Sequence, residues 1–334
     1  MTFLLGLCRL GARVLPAAAP VLVASALLTA CGGGTSQVEA FHPARLIVFG
    51  DENSMIKDDG NTGDGFKYTI NDRTATNEGK CLALPTFVQS LASHYGFVFK
   101  QCNPSGDLPK AFVQALEFAR VDDATTGLAQ QIASVPDLNV TDMVSVMIGA
   151  NDVIELYERT QNGGMSSADA MAEAARRGTH AAEQVSAILK TGARAIVVLT
   201  PDMGLSPYAM SANLIDPGAS ALMSSLTYQF NGNLRTQITP NDGRYFGLVL
   251  GDDSVAAMAK SPSSFLSAPS DATNAACTTA LVTDCVITND TATTTLVNGA
   301  ASGTHLWASD RNFGPNAHSR IAAQVVARAA NNPF

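Results

Sequence analysis

The side chains best suited to chemistry follow two short apolar runs and precede the last helical segment of the sequence. The run at 45–50 leads into Asp-Glu-Asn-Ser at 51–54, and the run at 142–149 leads into Asn-Asp at 151–152. A third group of hydroxyl, amide, carboxylate and imidazole side chains lies at 305–318. Ligand sites of parallel sheets lie beyond the carboxyl ends of the strands, so we expect these groups to share one site. Their chemistry would be nucleophilic or general acid–base catalysis.

These segments resemble three sequence blocks of the SGNH (GDSL-type) ester hydrolases. Residues 49–54 (Phe-Gly-Asp-Glu-Asn-Ser) resemble the first block, and residues 149–152 (Gly-Ala-Asn-Asp) resemble the third. Residues 308–318 keep the Ala, the Pro and the final His of the last block. The resemblance covers residues 44–330 and implies an α/β three-layer sandwich with a parallel, flavodoxin-like sheet, the SGNH hydrolase fold. It also implies ester hydrolysis without a cofactor or a metal.

The same resemblance assigns a role to each position, and most positions hold a different side chain. Glu52 stands at the nucleophilic Ser, Phe118 at an oxyanion-binding Gly, and Asn151 retains the oxyanion-binding Asn. Ser309 stands for the Asp that orients the catalytic His, and Asn312 stands for that His. Loss of one member of such a triad costs orders of magnitude in rate. We therefore expect an inactive or strongly impaired ester hydrolase that serves as a ligand-binding or cell-envelope protein.

The alternative is an active esterase with a rearranged triad. It would use Ser54 as the nucleophile, His318 as the base and Asp310 to orient that base. Against it, two residues along the start of a helix turn a side chain by roughly 200°. His305 is a further candidate base, because it lies near the altered block.

Carboxylates support two other hypotheses. Glu52 could take part in glycoside cleavage if a second carboxylate lies at about 5–9.5 Å. A hard cation could bind carboxylate oxygens of Asp51, Glu52, Asp58 and Asp59. We expect a solvated acidic loop instead, and no metal site.

Alternating strands and helices must position these residues. Apolar runs predict parallel strands at 45–50, 142–149, 193–200 and 245–251. Helical spacing predicts helices at 84–95, 128–132, 166–190, 222–238 and 317–330, whereas 57–80 and 260–303 are typical of loops. The alternation predicts helices on both faces of a parallel sheet. Residues 44–334 are expected to form a single domain.

Residues 1–30 are typical of a secretory signal peptide, with Arg9 and Arg13 before an apolar run and small residues before Cys31. The Leu-Thr-Ala-Cys sequence at 28–31 resembles the lipobox of bacterial lipoproteins, which implies cleavage before Cys31 and lipidation of its thiol. We expect 31–43 to be a tether. The protein would cross the inner membrane and stay lipid-anchored in the cell envelope, at the outer membrane. An uncleaved membrane anchor, or a start codon assigned too early, is the alternative.

Four cysteines remain beyond this leader, in two pairs that are local in the sequence. For an oxidising compartment they predict the disulfides Cys81–Cys102 and Cys277–Cys285, although four cysteines allow three pairings. The net charge of −8, without a Lys/Arg cluster, argues against nucleic-acid binding. The expected partner is a small molecule, lipid or glycan in the former active-site cleft, besides the membrane.

Overall fold

The computed structural model describes residues 40–60, 63–74, 80–240 and 243–331. The predicted signal peptide (1–30), the predicted lipidation site Cys31 and the tether up to residue 39 lie outside the described residues. Within the described part of the chain, no helix combines the length and the apolar character needed to cross a membrane.

The described residues form eleven strands around a central parallel sheet. They are β1 (Arg45–Gly50), β2 (Ile56–Lys57), β3 (Phe66–Lys67), β4 (Asn71–Asp72), β5 (Ala111–Val113), β6 (Asp142–Met147), β7 (Arg194–Val198), β8 (Phe246–Val249), β9 (Asp271–Ala275), β10 (Val286–Ile287) and β11 (His305–Trp307). The five-stranded sheet has the order β5-β1-β6-β7-β8, and all its pairs are parallel. This is the flavodoxin-like order 2-1-3-4-5, so the predicted fold class is confirmed.

Eight helices of the described residues surround this sheet. They are α1 (Phe87–His94), α2 (Leu128–Ala133), α3 (Ala150–Gln161), α4 (Ser167–Lys190), α5 (Pro207–Asn213), α6 (Ala219–Gln237), α7 (Gly251–Lys260) and α8 (Pro315–Asn331). Single 3-10 turns lie between them, including Glu52–Ser54 directly after β1.

Alternating side chains of the strands divide the core into two layers. In β1, Ile47 and Phe49 belong to the core beneath α3, α4 and α6, whereas Leu46 and Val48 belong to the core beneath α1, α7 and α8. Successive side chains of a strand point to opposite faces, and a sheet that is buried on both faces needs a continuous apolar sequence. The result is a three-layer sandwich whose polar groups concentrate at the strand ends.

The sequence prediction missed several elements. Helices α3, α5 and α7 were not predicted, and the segments expected to be loops contain the short strands β2, β3, β4, β9 and β10. Two of the missed helices have acidic residues in their first turns: Asp152 in α3, and Asp252 and Asp253 in α7. Such polar residues are also typical of loops, so the sequence did not predict a helix at either place. Acidic residues at these places are stabilised by the positive end of the helix dipole.

Both predicted disulfides are present. Cys81–Cys102 has a Cα–Cα distance of 5.8 Å, and Cys277–Cys285 has one of 5.6 Å. The first joins the turn before α1 to the segment that follows it, and the second closes a short loop in the segment before β10. Both therefore restrain the irregular parts of the chain rather than the sheet.

Candidate active site

The site lies at the point of the sheet where successive strands are added on opposite sides of β1. Within the five-stranded sheet, β5 is the next strand along the chain after β1 and lies on one side of it, while β6 lies on the other side. The crevice at such a switch point is where open α/β sheets bind ligands. Gly50 ends β1, and Gly149 lies between β6 and α3; their φ angles are +135° and +133°. A Cβ on Gly50 would lie 1.8 Å from the Met147 carbonyl oxygen, so only glycine allows this turn.

Glu52 follows β1 and turns its carboxyl group inward. The residue is 2% exposed. Its Oε2 accepts hydrogen bonds from the backbone N–H of Phe118 (2.9 Å) and from Nδ2 of Asn151 (2.9 Å), while its Oε1 is buried without a hydrogen-bond partner. Two N–H donors that converge on one oxygen are the arrangement of an oxyanion hole. Here the oxygen belongs to the protein itself.

Burial and the neighbouring polar groups act on the pKa of this carboxyl group in opposite directions. Burial raises the pKa of Glu52, while the hydrogen bonds from Asn151 and Phe118 and the charge of Arg311 act to lower it. Burial also raises the pKa of the neighbouring Asp51 well above its usual range, and the charge of Glu52 adds to this. Asp51 accepts a hydrogen bond from the Asn53 N–H at 3.1 Å. It therefore caps the short turn that carries Glu52.

Phe118 has the backbone that favours glycine. Its φ is +56°, in the left-handed region that is uncommon for bulky residues, and this backbone aims its N–H at Glu52. The residue is 57% exposed. The ring therefore forms part of the cleft wall rather than filling the cleft.

Asp152 holds the segment that contains Phe118. Its two oxygens accept the Val121 N–H at 3.2 and 3.1 Å, and Oδ1 pairs with Arg177 at 3.1 Å. Burial raises the pKa of Asp152 to about 7, against the charge of Arg177. Asn151 and Asp152 are neighbours at the start of α3 and have different roles. Asn151 binds Glu52, and Asp152 positions the backbone segment whose Phe118 N–H is the second donor to Glu52.

Ser309 and Asn312 bind each other. The Ser309 hydroxyl accepts from the N–H groups of Arg311 (3.3 Å) and Asn312 (3.1 Å), so its own proton is free to donate to Oδ1 of Asn312 at 2.7 Å. This orients the Asn312 amide, whose Nδ2 is buried without a partner. Neither side chain titrates near neutral pH. The pair therefore holds the turn at 309–312 but cannot transfer a proton near neutral pH.

Arg311 is a residue of the site that the sequence analysis missed. Its guanidinium donates to Oδ1 of Asn151 at 3.1 Å and makes two bonds to Asp310, at 3.2 and 2.9 Å. It lies 5.8 Å from the ring centroid of Phe118 and 5.5 Å from that of Tyr208. By holding Oδ1 of Asn151, Arg311 leaves Nδ2 to face Glu52. The only sequence signal was a single arginine in this block, directly after Asp310.

The structure does not assemble the rearranged triad of Ser54, His318 and Asp310. The Ser54 hydroxyl and both nitrogens of His318 are buried without hydrogen-bond partners, and Asp310 binds Arg311. The His318 ring packs against Phe313 and Phe87 in the core. Burial lowers the pKa of His318 to about 3, with a further contribution from the charge of Lys67. An imidazole with so low a pKa is a weak base, and neither of its nitrogens has a hydroxyl partner.

His305 is held elsewhere by its own partners. Its Nδ1 lies 2.8 Å from the Thr304 hydroxyl, and its Nε2 lies 3.8 Å from a carboxylate oxygen of Asp271. Burial lowers its pKa. Trp307 is fully buried and stacks on Phe313. Neither residue lines the cleft that contains Glu52.

A cavity of about 140 Å³ opens beside Glu52. Its polar wall consists of Glu52, Glu117, Ser309, Asp310, Arg311 and Asn312, and its apolar wall includes Phe118 and Leu281. A cavity of this volume has room for several water molecules or for a small chemical group. Within the described part of the chain, no cluster of three or more His, Cys, Asp or Glu is arranged to hold a metal ion.

Comparison with known proteins adds little to this geometry. No protein-family model matches the sequence, and a search of curated proteins returns no match. Among solved structures, the chain is similar to a phospholipase A1 from Streptomyces albidoflavus NA297, with 14% sequence identity and a TM-score of 0.39. That match covers 85% of this chain and 98% of the phospholipase. A likeness at this level supports no conclusion about activity.

Proposed function

We propose that this protein is a non-catalytic member of the SGNH hydrolase fold that binds a ligand in the cleft beside Glu52. The observation that carries the proposal is the position of the Glu52 carboxyl group, which receives the Phe118 N–H and the Asn151 amide at 2.9 Å each. In the enzymes that the sequence resembles, the corresponding donors hold the developing oxyanion of the substrate. In this chain an internal oxygen already occupies them.

This occupancy works against ester hydrolysis in two ways. A carbonyl oxygen cannot reach donors that Glu52 holds, so the charge of a tetrahedral intermediate finds no stabilisation there. A carboxylate at the nucleophile position also lacks a base, because Ser309 and Asn312 bind each other and do not titrate. The retained hole is therefore a structural element that fixes the cleft wall.

The cleft remains suited to recognition. A buried carboxyl group, an amide donor and a guanidinium line a cavity that is partly walled by Phe118 and Leu281. Binding sites commonly combine an apolar wall with a few placed polar groups. We propose that one group of a small-molecule, lipid or glycan ligand enters this cavity. A lipid on Cys31 would anchor the protein in the cell envelope, at the outer membrane.

The decisive experiment is an esterase assay on the purified protein with p-nitrophenyl acetate and p-nitrophenyl butyrate. We expect no turnover above the buffer rate. The matched variants are Ser54→Ala and Glu52→Gln, which are expected to leave that background unchanged. Turnover that disappears in Ser54→Ala would sink the proposal in favour of an active esterase.

A second set of variants tests whether the side chains at 52, 309 and 312 alone prevent catalysis in this cleft. The triple variant Glu52→Ser, Ser309→Asp, Asn312→His restores a nucleophile, an orienting acid and a base on the observed backbone. We expect measurable turnover of the acetate ester, which the same variant without Asn312→His lacks. No turnover in a folded triple variant would contradict the idea that the site descends from a hydrolase.

A further inference from the structure

We propose that a second cleft, formed by β9, the start of β11 and the turn at 297–299, binds a small aliphatic amine through its primary ammonium group. The cleft has a volume of about 560 Å³, within the range of about 300–1,000 Å³ that is common for small-molecule sites. None of its described lining residues also lines the cavity beside Glu52. The proposal is therefore independent of that cavity and of the function proposed for it.

His305 brings a buried nitrogen acceptor to this cleft. Its side chain is 7% exposed, and its Nδ1 lies 2.8 Å from the Thr304 hydroxyl. That hydroxyl donates to the Ala301 carbonyl at 3.0 Å, so it accepts the N–H of Nδ1. Because burial lowers the pKa of His305, the ring is neutral at neutral pH, and its lone pair is then on Nε2. Among the described residues, Nε2 makes no hydrogen bond; a carboxylate oxygen of Asp271 lies 3.8 Å from it.

The carboxylate of Asp271 is fixed by its own turn and keeps its charge. Its Oδ1 accepts the N–H groups of Thr273 (2.8 Å) and Asn274 (2.9 Å), and its Oδ2 accepts from Nδ2 of Asn274 at 2.8 Å. Burial acts to raise the pKa of Asp271, but the hydrogen bonds from Asn274 and Thr273 lower it to about 2. The described lining residues of this cleft include no Lys or Arg. The cleft therefore contains a negative charge without a cation of its own.

The acceptors of the cleft match the donors of an ammonium group. The 3.8 Å between Nε2 of His305 and Oδ2 of Asp271 is too long for a direct hydrogen bond, yet one donor atom at about 2.8–3.0 Å can reach both. Asn274 also lines the cleft, and because its Nδ2 binds Asp271, its Oδ1 is a third acceptor. A primary ammonium group carries three N–H donors and a positive charge, whereas a hydroxyl group offers one donor and no charge.

The rest of the cleft suits a hydrocarbon chain. Pro269, Ala275 and Val297 form apolar parts of its wall. An amine on a short alkyl chain can bury its methylene groups on such a surface while its charged end reaches polar groups. The net charge of −8 also attracts cations to the protein. These features together favour an aliphatic amine over an anionic or a neutral ligand.

Calorimetric titration of the full-length protein with 1,5-diaminopentane at neutral pH tests this assignment. We expect saturable binding. Two ligands of the same chain length are the matched controls: 1,5-pentanediol lacks the charge, and the bis(trimethylammonium) derivative of pentane keeps the charge but has no N–H donor. Each control is expected to bind at least tenfold more weakly, because hydrogen bonds between charged groups contribute more than neutral ones. This comparison needs no variant of the protein.

Three variants locate the site, with circular dichroism to check the fold of each. We expect D271N to weaken binding of 1,5-diaminopentane at least tenfold and H305F to weaken it about fivefold. Asp253 is exposed in the first turn of α7 and does not line this cleft, so D253N makes the same change of charge elsewhere and is expected to bind as the unchanged protein does. An absence of diamine binding would overturn the proposal. So would equal binding of either control ligand, or a D253N variant that loses as much affinity as D271N.

Discussion

Replacing Glu52 tests the central feature of the site, an internal carboxyl group that receives two converging donors. In Glu52→Ala, Nδ2 of Asn151 and the N–H of Phe118 lose their acceptor. A buried donor without a partner costs about 1–3 kcal/mol. Asn151 is 4% exposed and bears this cost. Phe118 is an exposed residue, so water can partly replace the acceptor that its N–H loses. We expect Glu52→Ala to lower the free energy of unfolding by about 2–3 kcal/mol.

Glu52→Gln is the matched variant, because its side-chain oxygen can still accept both hydrogen bonds. Burial raises the pKa of Glu52, so the folded protein retains a proton at pH values where the unfolded chain has lost it. The stability that depends on the neutral carboxyl group is present at low pH and is lost as the pH rises through the folded-state pKa. Glutamine does not titrate. We therefore expect Glu52→Gln to be within about 1 kcal/mol of the unchanged protein at pH 5 and to gain on it at pH 8.

The assay is urea unfolding at both pH values, followed by the fluorescence of Trp307. It is the single tryptophan of the chain and is fully buried. Equal slopes of unfolding free energy against urea would show that the variants change stability rather than the extent of unfolding. Acetate provides a second readout, since a small carboxylate can enter the position that Glu52→Ala leaves. Acetate is expected to stabilise Glu52→Ala by mass action and to leave Glu52→Gln unchanged.

Two results would refute this reasoning. The first is a Glu52→Ala protein that is as stable as the unchanged protein at pH 5, because the two donors would then not depend on the carboxyl group. The second is a Glu52→Gln protein whose stability falls with rising pH as steeply as that of the unchanged protein. In that case the raised pKa of Glu52 would contribute nothing to folding.

The remaining predictions concern the supports of the site and the leader. Replacing Cys81 and Cys102 by alanine opens a loop with a sequence separation of 21 residues and is expected to cost about 3 kcal/mol, measured by urea unfolding against the unchanged protein with its disulfides intact. Asp152→Ala leaves the Val121 N–H and a buried guanidinium without this partner; we expect a loss of about 3 kcal/mol, and an unchanged unfolding midpoint would contradict the role of Asp152. Cys31→Ser is expected to move the protein from the detergent phase to the aqueous phase in a phase-partition assay of cell membranes, and retention in detergent would argue for an uncleaved anchor.

The central sheet was predictable because its strands are buried on both faces. A strand such as Arg45–Gly50 has few choices other than apolar residues, so its position is visible in a single sequence. The helices α3 and α7 escaped because their first turns are polar, and the pattern that marks a loop also marks the start of a helix. The pairing of the cysteines was predictable for another reason, since both disulfides join partners that are near in the sequence.

The sequence by itself determined which chemical groups are present at the strand ends, and its resemblance to the SGNH hydrolases predicted which of them are substitutions. It indicated Glu52 in place of a hydroxyl and Asn312 in place of an imidazole, since these identities follow from the order of residues in each block. It also indicated Phe118 as a replaced glycine, and the structure places that residue in the left-handed backbone region that favours glycine.

Only the tertiary structure decided what these groups contact. The contact between Glu52 and Asn151 joins residues 99 positions apart, and that between Arg311 and Asn151 joins residues 160 positions apart. Contacts of this range depend on how three strand ends meet in space, and a local pattern does not encode such distances. The two donors that converge on Glu52 and the guanidinium that orients the Asn151 amide both emerge from packing. Each of these features depends on the distance between groups that are far apart in the sequence. A single sequence shows which groups are present but does not give these distances.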